Sequence, residues 1–187
     1  MKILLIGASK SGKSMLAQKL IKALSSADGS TPYYWATMEP TDGEDRRRIE
    51  KHLEDRIGWG FETIECAKRV ASALPLLEGK ASVLFDSITA LAANEMFGTV
   101  SSGYLPFPDP EAGERALREL LLLAERANNV VFVCDDLFKD GITFDASTEN
   151  YRRALANICR SLAESCDTVC EVVCGLPLIH KGSLPKI

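Results

Sequence analysis

One segment, Gly7-Ala8-Ser9-Lys10-Ser11-Gly12-Lys13-Ser14, constrains this chain more than any other. It meets every fixed position of the pattern G-x-x-x-x-G-K-[ST], and it lies between the two elements that pattern needs. Before it, Lys2 to Ile6 is an apolar run that predicts a core strand. After it, Met15, Leu16, Leu20, Ile21 and Leu24 recur at helical spacing and predict a helix from Lys13 to Leu24. Gly7 and Gly12 let the backbone turn tightly and approach an anion closely. The loop N–H groups and the helix N-terminus then supply partial positive charge to a phosphate. In such a P-loop cradle Lys13 reaches the β- and γ-phosphates and the Ser14 hydroxyl meets Mg²⁺. A glycine turn arising by chance is the competing reading, and the strand and helix on either side argue against it.

The rest of the chain alternates in the same way. Strands are expected at Pro32–Thr37, Phe61–Glu65, Ala81–Phe85, Asn129–Cys134 and Thr168–Cys174. Helices are expected from Thr41 or Asp42 to about Arg56, then at Ala67–Glu78 with a kink near Pro75. Further helices are expected at Ile88–Phe97, Glu111–Asn128 and Glu149–Ser165. The strands are continuously apolar rather than alternating, which predicts a parallel sheet covered on both faces. The fold class is therefore α/β, a single P-loop NTPase domain over residues 1–187, with a RecA-like, mainly parallel sheet. Gly98 to Gly113 is expected to be a long functional loop carrying Tyr104 and Phe107. After Cys174, a turn and a short edge segment are expected.

A P-loop needs a carboxylate near its metal ion, commonly at the end of a neighbouring strand. Asp86, closing Val83-Leu84-Phe85-Asp86, is the first choice. Asp86 or Ser87 could equally cap the following helix. Asp135 and Asp136, after the next strand, compete for the metal role. Of the two histidines, His180 sits in the tail beside Lys181 and fits a solvated residue. His52 lies among Arg46, Arg47, Arg48, Lys51 and Arg56. That pattern fits a solvated charged face, or else a nucleophile held near phosphate by cations, which favour its neutral form.

The six cysteines lack the paired C-x-x-C spacing of zinc sites and fit small buried thiols in a reducing cytosol. A net charge of −4 argues against a broad nucleic-acid face. No apolar run has membrane-spanning length, and the first residues lack a signal-peptide pattern, so a cytoplasmic location is expected.

Taken together, these segments resemble the bifunctional adenosylcobinamide kinase / adenosylcobinamide-phosphate guanylyltransferases of cobalamin synthesis. Trp35-Ala36-Thr37 is similar to that family's Tyr-Ile-Ala-Thr. Arg48-Ile49-Glu50-Lys51-His52 resembles its Arg-Ile-x-x-His, whose histidine carries GMP. Thr63-Ile64-Glu65, with Trp59 nearby, follows as its Thr-Val-Glu does. Asp86-Ser87-Ile88-Thr89 and Asn94 resemble its Asp-Cys-Leu-Thr and downstream Asn. Tyr151-Arg152, Leu162-Ala163, Asp167, Val172-Val173 and Gly175-Leu176-Pro177 match in spacing. The chain departs from the family at Asp135-Asp136, where Asn-Glu is usual, and at Ala156 and Cys159.

The resemblance implies two reactions. ATP or GTP phosphorylates the hydroxyl of adenosylcobinamide, and GMP then passes from GTP through His52 to the phosphorylated product. Catalysis would fall to His52 and Lys13. Nucleotide binding would fall to Gly7, Ala8, Ser9, Lys10, Ser11, Gly12, Lys13, Ser14, Ala36, Thr37, Arg56, Glu65 and Asp86, with Ser14 and Asp86 on Mg²⁺. A homo-oligomer, by resemblance a trimer, is implied, with no nucleic acid or membrane as partner. A P-loop kinase of another small molecule and a non-catalytic nucleotide-binding paralogue are the alternatives.

Overall fold

The computed structural model describes residues 1–39, 58–99, 101–105, 108–139 and 141–187. The predicted charged helix after Thr41, and with it His52 and Arg56, lies outside the described residues. Seven strands form one sheet in the order β3-β2-β4-β7-β1-β8-β9. They are β1 (Lys2–Gly7), β2 (Thr31–Ala36), β3 (Glu62–Glu65), β4 (Ala81–Asp86), β7 (Asn129–Asp135), β8 (Thr168–Val173) and β9 (Leu176–Lys181). The first six run parallel, and β9 returns antiparallel on β8. The architecture is the α/β, mainly parallel sheet that the continuous apolar strands predict.

Side chains alternate across the sheet, so the central strands β1, β2, β4 and β7 feed two cores. Ile3, Leu5, Tyr34, Leu84, Val131 and Val133 pack with Leu16, Ala17, Leu20 and Ile21 of α1 (Lys13–Asp28). Leu4, Trp35, Phe85 and Phe132 face the other way, against α2 (Ile88–Phe97), α3 (Ala112–Arg126) and α4 (Ala146–Ser165). On that face the rings of Trp35, Phe85 and Phe132 form a row across β2, β4 and β7, with centroids 5.9 and 6.0 Å apart. Ring separations in this range favour tilted contacts beyond simple area burial.

Several boundaries differ from the sequence reading. Helix α1 continues through Ser25 and Ser26 to Asp28 and stops at Gly29, whose φ of 71° only glycine adopts without strain. The helix expected at Ala67–Glu78 is instead a 3₁₀ turn, Val70–Leu76. Pro75 cannot donate to a longer α-helical ladder, and Arg69 enters the turn at φ 55°. Helix α4 starts at Ala146, three residues earlier than expected, because Asp145 accepts from the N–H groups of Ser147 and Thr148.

The segment after Phe97 holds a short hairpin, β5 (Gly98–Thr99) with β6 (Gly103–Tyr104). The Ser101 hydroxyl and N–H tie it to the Glu39 carboxylate. Among the thiols, Cys134, Cys159, Cys166 and Cys170 are buried as expected. Cys174 is exposed, because it sits in the β8–β9 turn at φ 50° rather than on the strand.

One buried charge anchors the helical face. Glu95 is 4% exposed, and its carboxylate accepts from Arg69 N–H at 2.6 Å and from the Arg115 guanidinium at 3.0 Å. Arg115 also donates to Asp109 at 2.7 Å, which holds the Asp109 carboxyl below its ordinary range. Removing one partner of a buried pair strands the other charge. Glu95→Ala is therefore expected to destabilise the fold by about 3 kcal/mol. Urea unfolding reads this directly, and a loss below about 1 kcal/mol would show that Arg115 is satisfied without Glu95.

Candidate functional site

In a parallel sheet every strand delivers its C-terminal residue to the same edge. Register places Gly7 opposite Asp135, and Ala36 opposite both Asp86 and Glu65. The cradle residues and the candidate carboxylates therefore meet along one edge although they are far apart in sequence. Strand β7 lies between β1 and β4, so Asp135 comes beside the cradle, with Asp86 one strand farther.

The loop from Gly7 to Gly12 turns through residues with positive φ, Lys10 at 60° and Gly12 at 95°. Gly12 has a second constraint, because a Cβ there would lie 3.1 Å from the Gly175 Cα. The β8–β9 turn packs directly on the loop, and Gly175 N–H donates to the Ser11 carbonyl at 2.8 Å. A Cβ on Gly7 would meet the Val172 carbonyl oxygen at 2.5 Å. The cradle is thus clasped from the sheet edge by the segment carrying Gly175-Leu176-Pro177. The Ser11 hydroxyl is buried without a hydrogen-bond partner among the described residues. Ser9 and Lys10 are exposed, and the Ala8 carbonyl accepts from Ser11 N–H.

Lys13 is buried and donates to the Gly7 carbonyl at 2.9 Å, the Ala8 carbonyl at 2.7 Å and the Asp135 carboxylate at 2.9 Å. The Ser14 hydroxyl donates to Asp86 Oδ2 at 3.0 Å, and the Tyr34 hydroxyl donates to the same oxygen at 2.9 Å. Ser87, not Asp86, caps α2, accepting from Ala90 N–H at 3.2 Å. The two roles weighed for Asp86 are therefore divided between neighbours, and Asp86 faces the cradle.

Ser14 and Asp86 set a hydroxyl and a carboxylate side by side. Mg²⁺ takes such oxygen donors together with substrate phosphates rather than a full protein cage, so these residues fit the ion. Among the described residues no group of three or more His, Cys, Asp or Glu side chains is arranged to hold a metal.

The other predicted residues are placed as follows. Thr37 is fully buried, and its hydroxyl donates to the Ser87 carbonyl at 2.9 Å and accepts from Ser87 N–H at 2.7 Å. The Asn94 amide holds the Thr37 carbonyl at 2.8 Å and the Ala67 carbonyl at 2.9 Å. Thr37 thus braces the backbone just after Asp86. Ala36 is half-buried beside it, and Glu65 is exposed at the end of β3.

Sequence reasoning did not single out Tyr34, and it named Thr89 only as part of the Asp86-Ser87-Ile88-Thr89 match, with no role. The Tyr34 contact arises because period-two alternation turns it toward α1 while Tyr33 and Trp35 turn away. Thr89 accepts from Asp135 N–H at 2.8 Å, and the Tyr151 hydroxyl donates to the Thr89 carbonyl at 3.0 Å. Burial pushes the Tyr151 hydroxyl pKa up and keeps it a donor.

Beside the cradle, a cavity of about 230 Å³ is lined by Ile6, Phe138 and Val169 under an ion-paired rim. Lys139 bridges Asp136 at 2.9 Å and Glu171 at 2.6 Å, and His180 stands 3.3 Å from Glu171. Lys139 first, and His180 after it, hold the Glu171 carboxyl below its ordinary range. His180 is exposed on β9, as the solvated residue the sequence suggested, and its Nε2 lies within hydrogen-bond distance of Glu171.

Among solved structures, the chain is similar to a KaiC-like protein from the hyperthermophilic archaeon Pyrococcus horikoshii. The TM-score is 0.53 at 15% identity, over 98% of this chain and 82% of that one. It is also similar to the ATPase domain of G40P, with a TM-score of 0.49 at 11% identity, over 91% of this chain and 68% of that one. The first likeness carries the fold alone, a RecA-like P-loop architecture. No curated protein matches the chain. The sequence model of the cobinamide kinase / cobinamide phosphate guanyltransferase family matches residues 3–179. That span runs from the first core strand to the edge strand that clasps the phosphate loop, and this chain belongs to the cobinamide kinase / cobinamide phosphate guanyltransferase family.

Proposed function

We propose that this chain performs both reactions of its family on one corrinoid, with the cradle at Gly7–Ser14 serving the phosphoryl step and His52 the guanylyl step. The observation that carries the reading is the convergence of Lys13, Ser14 and Asp86 at the C-terminal edge, within a chain the family model spans from residue 3 to 179.

In the first reaction the hydroxyl oxygen of adenosylcobinamide bonds to the γ-phosphorus of ATP or GTP. The bond to the β–γ bridging oxygen breaks, the nucleoside diphosphate leaves, and the hydroxyl proton passes to solvent. Phosphoryl transfer needs little covalent help, so positioning and charge neutralisation dominate. Lys13 and the loop N–H groups supply both. Ser14 and Asp86 would hold Mg²⁺, which would supply positive charge to neutralise the phosphates. Tyr34 and Thr37 keep Asp86 aimed at Ser14.

In the second reaction a His52 ring nitrogen bonds to the α-phosphorus of GTP and pyrophosphate leaves. A phosphate oxygen of the phosphorylated cobinamide then takes the GMP, and the phosphorus–nitrogen bond breaks. Each displacement involves one nucleophile and one good leaving group. Ala36, Thr37, Arg56 and Glu65 belong to the nucleotide-binding set in this reading.

Asp86→Asn tests the metal assignment. It is expected to lower phosphoryl-transfer turnover by about 10² or more, while Asp135→Asn costs less. Steady-state rates across a Mg²⁺ titration measure both variants. The reverse ranking would move the metal carboxylate to Asp135.

The assembly is a homo-oligomer in this reading, a trimer by resemblance. Support comes from β9, an edge strand whose Leu176 and Leu178 are 71% and 54% exposed. Apolar edge strands are ordinarily paired or covered. Among the described residues no helix is long and apolar enough to cross a membrane. A cytoplasmic enzyme is the corresponding proposal.

A further inference from the structure

An ammonium has three N–H bonds to give. Those of Lys13 are all engaged, by the Gly7 carbonyl, the Ala8 carbonyl and Asp135 Oδ1, with the side chain only 5% exposed. Two of these acceptors are the cradle's own backbone. The third is a side chain from another strand, held in place by several constraints. Asp135 pairs in register with Gly7, its N–H donates to Thr89, and Asp136 N–H donates to the Gly7 carbonyl at 2.9 Å. The sheet therefore delivers a carboxylate to the cation that the cradle needs.

The geometry points to Asp135 as a positioning residue that holds the Lys13 ammonium in the nucleotide-free cradle and yields it to the incoming nucleotide, so that it sets nucleotide affinity and release. This rests on the reading that Lys13 serves the β- and γ-phosphates. A phosphate oxygen reaches Lys13 only by replacing one of three acceptors. The carbonyls of Gly7 and Ala8 cannot leave without opening the loop. The Asp135 carboxylate, 34% exposed, can turn toward water. Carboxylate and phosphate are both anions competing for one cation. This competition weakens binding of any nucleotide that needs Lys13. After transfer, Asp135 recaptures the ammonium as the diphosphate leaves, which speeds release. No covalent bond changes in this exchange. Asp86 does not compete for the role, since its Oδ2 is engaged by the Ser14 and Tyr34 hydroxyls.

Asp135→Asn preserves shape and removes the charge. The full chain with Mg²⁺ and fluorescent GTP or GDP analogues in stopped flow is the direct test. Both analogues are expected to bind about tenfold more tightly to the variant, chiefly through slower dissociation. KM for GTP and kcat for phosphoryl transfer are expected to fall together, as release becomes limiting. Thermal unfolding confirms that the variant is folded.

The same substitution in a Lys13→Ala background is expected to change affinity by less than about twofold, because the cation being held is gone. Unchanged or weaker binding in Asp135→Asn would overturn the proposal. So would tightening of more than about twofold without Lys13, which would report general charge repulsion. Failure of the cradle reading is a separate outcome: Lys13→Ala alone would then bind nucleotide as tightly as the parent chain.

Discussion

Lys13→Ala is expected to reduce phosphoryl transfer by at least about 10³-fold while the chain stays folded. The ammonium is the one cation the described structure buries inside the phosphate loop, and its bonds there go to backbone carbonyls and Asp135. A cation at that position acts on charge that grows as the γ-phosphoryl group leaves. In a site screened from water each such contact is worth far more than at the surface. The loss should appear in kcat and in nucleotide affinity together, because Lys13 meets the phosphates in the ground state as well as in the transition state. Folding should survive, since Leu16, Ala17, Leu20 and Ile21 hold α1 on the sheet independently of Lys13. Steady-state kinetics with circular dichroism on the same sample is the measurement. Turnover within about tenfold of the parent chain would remove the cradle from the active site.

His52→Ala is expected to abolish covalent labelling by α-labelled GTP and all guanylyl transfer, yet to keep γ-phosphate transfer largely intact. The two steps use separable groups, with Lys13, Ser14 and Asp86 serving the first. An imidazole–phosphate bond is a phosphoramidate, labile in acid and stable in base, so the adduct has a chemical signature on a denaturing gel. His180→Ala is the matched control, because the only other histidine is engaged with Glu171 on β9. Labelling of His52→Ala with the same acid lability would assign the nucleophile to another residue. Loss of both activities in a folded His52→Ala chain would mean that the two steps share more than a nucleotide.

Much of this site is legible in the sequence because its chemistry is local. Gly7 to Ser14 carries turn, donors, cation and hydroxyl within eight residues, and its flanking patterns name the strand and the helix. Asp86 could be chosen because it closes a continuous apolar strand, and strand ends gather at one edge of a parallel sheet. The long-range partners had no such local signal. Tyr34 on Asp86 depends on which face of β2 meets α1. The Gly175 turn on Gly12 depends on β9 folding back along β8. The 3₁₀ turn at Val70–Leu76 shows the limit from the other side. Its apolar spacing suits a helix, but Pro75 and the left-handed Arg69 rule out a full α-helical ladder.

Composition and periodicity sufficed for the α/β class and the helix–strand alternation, because burying an apolar face is a requirement each segment expresses in its own residues. Strand order is not expressed that way. Nothing local in Asn129–Asp135 says that β7 inserts between β1 and β4, and it is that insertion which sets Asp135 against Lys13 and leaves Asp86 to Ser14. As sequence, Asp86 is the first choice for the ion, and Asp135 and Asp136 are strand-end carboxylates that compete with it. Hydrogen-bond geometry over a few ångströms separates them, since a carboxylate's role depends on which donors surround it. Those donors come from segments tens of residues away, brought together only when the sheet closes.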